Sequence, residues 1–215
     1  CWLGLAASLS IVLGLAQRAA LLLAWALYLS FCTVGRVFLA FQWDALLLEA
    51  ALCALFLAPR AWTSAGASRE RVSVLGVWLV RWLCLRLMLL SGLVKLTSGD
   101  ASWASFTALD YHYWTQPLPT WIGWWAQQMP AAFGRFSCGL LFAVELYLPL
   151  FVFGPRRLRL LAGLGLVVLQ LVIAATGNYG FFNLLSVVLC APLLDDAALT
   201  RLVPSALARF RAPTP

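Results

Sequence analysis

The sequence predicts an all-α, polytopic transmembrane helical bundle with an aromatic interfacial loop, and three observations carry that reading. Of 215 residues, 63% are hydrophobic and only 11% charged, whereas soluble domains run at about 45–50% apolar and about 25% charged. The mean hydropathy is +0.91. The apolar residues also fall in runs of about 20, enough to cross a hydrocarbon core of about 30 Å at about 1.5 Å per residue. A chain of this make-up cannot coat a globule with polar side chains, so lipid must supply its outer solvent. The formal charge of +7 suggests no nucleic-acid partner, because the cations stand singly between or inside apolar runs and form no basic stripe.

Taken in order, the runs place spans at 2–17, 19–40, 73–98, 132–153 and 157–176. Two shorter segments, 43–58 and 181–195, fit a thin or protein-buried span, or a re-entrant element that avoids lipid. Breakers separate the runs: Pro59 with the polar stretch that follows, Pro117 and Pro119 in a long connection, and Gly154-Pro155 before three arginines. The organisation is then 1–98, N-terminal transmembrane helices; 99–131, an aromatic loop on the side away from the cytosol; 132–196, C-terminal transmembrane helices; and 197–215, a truncated tail. Arg18, the group Arg60, Arg69 and Arg71, and the cluster Arg156, Arg157 and Arg159 lie on alternate connections, which the positive-inside rule assigns to the cytosol. The tail with Arg201, Arg209 and Arg211 is cytosolic if 181–195 crosses, and on the other side if it is re-entrant. Opening on Cys1 without a charged leader, the chain reads as a piece of a longer protein.

The connection 98–130 carries Asp100, Asp110 and His112 but no lysine or arginine, and it is rich in aromatic rings, among them Trp103, Phe106, Tyr111, Tyr113, Trp114, Trp121, Trp124 and Trp125. Indole and phenol rings settle at headgroup level, so the loop is expected to lie on the membrane. Two roles stay open for it. It is an interfacial belt, or it is a partner-facing surface whose residues include Trp103, Tyr111, His112, Tyr113 and Trp114.

Ionisable side chains at membrane depth need a partner or a wet cavity. Counted from the cytosolic edges, Glu49, Glu145 and Arg81 share a depth of about 15 Å, and Arg86 sits about 7 Å deeper on the Arg81 helix, turned about 140° away. Lys95 lies fourteen residues beyond Arg81, back within about 40° of the same face, and Asp44 opens the segment after Arg36 at the far side. One helix face is thus expected to offer cations to two acidic clusters, forming a buried ionic network of Asp44, Glu49, Arg81, Arg86, Lys95 and Glu145, with Arg81 matched to the two glutamates. In a transporter, Glu49 and Glu145 would titrate instead. In a membrane enzyme acting on a quinone-like or lipid substrate, Lys95 or His112 would serve as base. Signals for chemistry are thin: one histidine, no Walker loop, no dinucleotide fingerprint and no nucleophile elbow. No metal or cofactor is expected. The six cysteines, Cys1, Cys32, Cys53, Cys84, Cys138 and Cys190, are widely spaced and read as small apolar side chains.

Four stretches carry a resemblance: FQWDALLLEA from Phe41 to Ala50, VRWLCLRLMLLSGLVKLTSGD from Val80 to Asp100, TALDYHYWTQPLPT from Thr107 to Thr120, and TGNYGFFNLLSVVL from Thr176 to Leu189. In this order they resemble the lipase maturation factor family, over roughly residues 20 to 196, with a spelling of the second stretch that leans toward the second paralogue. The resemblance implies a multi-pass protein of the endoplasmic reticulum membrane that is no enzyme and needs no cofactor. It implies that secreted lipases are the folding clients, helped to assemble into active dimers. It also implies a lumenal aromatic loop, fewer crossings than seven, and a longer parent protein.

Overall fold

The computed structural model describes residues 1–67, 70–116, 118–195 and 197–198, so Arg69, Arg201, Arg209 and Arg211 lie outside the described residues. Among these the regular structure is helical throughout, with no strand. Eleven α-helices follow in order: α1 Trp2–Val12, α2 Gln17–Gly35, α3 Gln42–Leu57, α4 Ser64–Ala67, α5 Val74–Thr97, α6 Ala101–Ala104, α7 Ala108–Thr115, α8 Trp121–Gln127, α9 Ala131–Tyr147, α10 Arg156–Thr176 and α11 Phe182–Leu189. Short 3-10 turns extend α2 (Arg36–Leu39), α9 (Leu148–Phe151) and α11 (Ala191–Leu193).

Four stretches of the described residues are long and apolar enough to cross a membrane: Gln17–Leu39, Val74–Thr97, Ala131–Phe151 and Arg156–Thr176. The protein is a polytopic membrane protein. The span expected at 2–17 is instead the 11-residue α1, which ends at Val12. At about 1.5 Å per residue it reaches only about 16 Å, because a turn at 13–16 reverses the chain and packs α1 on α2. The ambiguous 43–58 forms the 16-residue α3, about 24 Å long and so short of a lipid-facing span.

The chain divides into two compact units, residues 1–80 and 81–194. In the first, α2 packs on both α1 and α3. Arg18, in the first turn of α2, donates to the Ala58 carbonyl just past α3 at 2.8 Å, and the Ala16 amide donates to the Trp62 carbonyl. These bonds satisfy groups that a helix end leaves without partners. Asp44 is only 2% exposed. Its Oδ2 accepts from the Phe41 amide at 3.2 Å, closing the N-terminus of α3, and its Oδ1 accepts from the Tyr28 hydroxyl on α2. In the connection before α5, the Arg60 and Ala61 amides donate to the Glu70 carboxylate and hold its pKa below the usual carboxylate range.

In the second unit, α10 is the central rod, packed by α8, α9 and α11. The segment 181–195 turns back beside α10. Asn183 Nδ2 donates to Gln170 Oε1 at 2.9 Å, and Leu193 lies against Gly163, about two turns nearer the start of α10. The segment ends where Arg81 donates twice to the Pro192 carbonyl, at 2.9 and 2.8 Å, and Arg159 donates to the Leu193 carbonyl at 3.2 Å. Two guanidiniums thereby take up the carbonyls that a short helix leaves bare at its C-terminus.

The buried Asp44 carboxylate relies on the hydroxyl from α2. Tyr28→Phe should cost about 1–3 kcal/mol, the penalty for stripping a partner from a buried polar group, read as a lower midpoint of thermal unfolding in detergent. Asp44→Asn in the same background should recover part of it.

Candidate functional site

Lys95, Glu145 and the residues of the connection 98–130 form two neighbouring clusters in the second unit. Lys95 occupies the last turn of α5. Its Nζ lies 2.6 Å from Glu145 Oε2 and 2.8 Å from Oε1, and also donates to Ser91 Oγ at 2.9 Å. The Ser91 hydroxyl donates to Glu145 Oε1 at 3.1 Å. Glu145 is 3% exposed, so this carboxylate has left water altogether and is held by a cation and a hydroxyl from the facing helix. The helices come together here because residue 92 is glycine: a Cβ there would lie 3.1 Å from the Glu145 Cβ and still closer to Leu146.

Depth counting had matched Arg81 to Glu145, and the structure gives Glu145 to Lys95. Counting inward from each chain break assumes that the two helices start level, yet α9 is displaced along α5 so that Glu145 meets its last turn; the 3-10 turn after Tyr147 changes the rise by only about 2 Å and is a minor part of this. Arg81, about 21 Å away along α5, serves the Pro192 carbonyl. Asp44 lies in the other unit with Tyr28. Glu49 and Arg86 lie on α3 and α5 and both engage in polar or electrostatic contacts.

The connection 98–130 is built rather than loose. Asp100 caps α6 by accepting from the Ser102 amide at 2.8 Å, which keeps its carboxyl below its ordinary pKa. Trp103 stands edge-on to Phe142 of α9 and places its ring 5.6 Å from Lys95 Nζ, a cation–π distance. Leu109 on α7 is buried with Cys138 and Phe142 of α9, and Trp103, Tyr113 and Leu146 pack around them. The apolar roof over the ion pair therefore comes from α6 and α7. Of the partner-facing set, Trp103, His112 and Tyr113 turn inward, while Tyr111 and Trp114 remain 64% and 74% exposed.

His112 ties α7 to the turn between α10 and α11. Gln116 Oε1 accepts from the Asn178 amide at 3.0 Å, which directs the Gln116 amide nitrogen at His112 Nε2, 2.7 Å away. An amide nitrogen only donates, so Nε2 must accept, and His112 is neutral with its proton on Nδ1. The Tyr179 hydroxyl also reaches Nε2 at 3.4 Å, and the two rings stack at 6.2 Å. Burial, and then the charge of Lys95, push the His112 pKa below its ordinary value. Next to this cluster the Thr120 hydroxyl donates to the Ala175 carbonyl at 2.7 Å and accepts from the Gly123 amide, capping α8 and joining it to the end of α10.

Several contacts had no signal in the sequence. Ser91, Gln116, Thr120, Gln170 and Asn183 are ordinary polar residues in apolar or aromatic runs, and only the fold shows what they bond. Cys84 and Cys190 are free thiols buried 3.8 Å apart, a meeting that spacing along the chain cannot reveal. Among the described residues no three His, Cys, Asp or Glu side chains converge.

The family model for the lipase maturation factor transmembrane domain matches residues 1–201. The chain belongs to the lipase maturation factor family. It is 48% identical over 207 residues to lipase maturation factor 2 of Xenopus tropicalis, covering 93% of this chain and 29% of that protein. It is 48% identical over 184 residues to lipase maturation factor 2 of Homo sapiens, covering 81% and 26%. With lipase maturation factor 1 of Mus musculus the identity is 38% over 199 residues, covering 92% and 34%. The chain thus spans about three-tenths of the length of these relatives. No solved structure matches it. The Lys95–Glu145 pair and the His112 cluster both lie inside the segment this family domain covers.

Removing Lys95 leaves an unpaired buried carboxylate. Lys95→Met should destabilise the protein by about 3–5 kcal/mol, measured as loss of folded yield and a lower unfolding midpoint in detergent; Lys95→Met with Glu145→Met should recover most of the loss. For His112 the folded pKa is depressed, so its contribution to stability is complete above the unfolded value of about 6.5 and fades as pH falls toward the folded pKa. Protection factors for the amides at 177–180, with exchange corrected for the intrinsic rate at each pH, should fall over that acid window in the native protein and stay flat in His112→Asn.

Proposed function

We propose that this chain is the membrane portion of an endoplasmic reticulum maturation factor that helps secreted homodimeric lipases fold and assemble, and that it acts by contact rather than by chemistry. The observation that carries this reading is the family match over residues 1–201, supported by the relatives' shared name. In this reading residues 1–98 and 132–196 form the membrane body, and 99–131 face the lumen. The Lys95–Glu145 pair, and separately the buried Asp44 with Tyr28, serve as scaffold.

Client contact would fall to the parts of 99–131 that reach outward. Tyr111 and Trp114 project from α7, whose opposite side is fixed through Leu109 and His112. Large rigid rings on a fixed backbone suit client binding because little conformational entropy is lost when they are covered. The inward Trp103, His112 and Tyr113 would set the posture of that surface.

The test is rescue of secreted lipase activity in cells lacking the endogenous factor, using the full-length protein that contains this chain. The wild type should restore secretion, and Tyr111→Ser with Trp114→Ser should reduce it several-fold at equal membrane abundance. Undiminished rescue by that variant would remove client contact from α7, and failure of the wild type would remove the lipase role.

A further inference from the structure

We infer that α8 is a lipid-seated anchor: a short helix lying at the bilayer surface with Trp121, Trp124 and Trp125 among the phospholipid carbonyls and headgroups. The inference does not depend on lipases being the clients.

The position of α8 is fixed by contact with a membrane-spanning rod. Thr120 donates to the Ala175 carbonyl, and a Cβ at Gly123 would fall 2.5 Å from the Thr176 carbonyl. Thr176 is the last residue of α10, one of the four helices long and apolar enough to span. The backbone of α8 therefore touches the very end of a spanning helix. That is the level where hydrocarbon gives way to headgroups, and where indoles concentrate.

What α8 exposes there matches lipid rather than water. With Gly123 buried against α10, Trp121 is 86% exposed and Ile122, Trp124 and Trp125 are each more than half exposed. Residues 111–134 contain no lysine, arginine, aspartate or glutamate. A surface meant for water would hardly place four large apolar side chains on seven residues without one charge nearby. Indoles suit the boundary because the ring body is apolar while its N–H can donate to a carbonyl or phosphate oxygen. The aromatic connection thus divides into two parts: α8 seated in lipid, and α7 held against α9 and the turn after α10 by the Leu109 and His112 contacts.

The experiment uses the full protein reconstituted in phosphatidylcholine vesicles, either plain or brominated near the carbonyl end of the acyl chains. Emission is compared between wild type and Trp121→Phe/Trp124→Phe/Trp125→Phe, and the difference spectrum reports the three indoles alone. That difference should be quenched more strongly by the lipid bromines than by aqueous acrylamide. The reverse order, with acrylamide the stronger quencher, would place α8 in water and overturn the inference. Should the triple variant fail to fold, the three single variants supply the same difference spectra, since phenylalanine preserves ring contact at an exposed position.

Discussion

A carboxylate placed inside an apolar helical pack needs polar or charged partners from the protein itself, and that requirement organises the second unit. Glu145 meets it through Lys95 and Ser91 on α5. The consequences spread outward from there. The two helices must approach closely, which Gly92 permits, and the aliphatic stem and ammonium of Lys95 must be covered. Trp103 supplies that cover, and Trp103 is held in turn by Phe142 from the same helix that carries Glu145. The ion pair, the helix spacing and the folded connection above it form one closed set of contacts. An isolated ion pair in such surroundings contributes little net stability, but losing either partner is costly. Its effect is to fix which helices meet and at what level.

The same logic governs the helix ends. A bilayer offers no water to backbone carbonyls, so short elements inside a membrane protein must find donors within the protein. The segment after α11 ends on carbonyls taken up by Arg81 and Arg159, and the end of α3 is taken up by Arg18. Several arginines that read by sequence as cytosolic markers or as partners for carboxylates thus also close the backbone of elements too short to span on their own. A guanidinium suits this task because its fork of donors can engage one carbonyl twice, as Arg81 does at Pro192.

The connection between α5 and α9 joins this buried scaffold to the outer surface. Through α6 and α7 it roofs the ion pair, through His112 and Gln116 it grips the turn after α10, and through Thr120 and Gly123 it rests on the end of that rod. Each grip uses a different chemistry, so the exposed rings stand on a backbone fixed at three points. Covering a rigid surface costs less entropy than ordering a mobile one.

By itself the sequence determined the solvent and most of the rods. Hydropathy over a window of about 20 residues reports where lipid must be, so Gln17–Leu39, Val74–Thr97, Ala131–Phe151 and Arg156–Thr176 fall close to their expected bounds. Motif order also pointed to the family, because four long stretches rarely recur together by chance. Hydropathy could not tell that 2–17 breaks at Val12, since a turn made of apolar residues looks like helix to a composition average. Which charge meets which was decided only by tertiary structure. The periodicity of α5 placed Arg81 and Lys95 on nearly one face, but the partner of each depends on how far neighbouring helices slide along it. That slide goes with a glycine contact and the packing of a folded connection, neither of which has a signature in residue spacing.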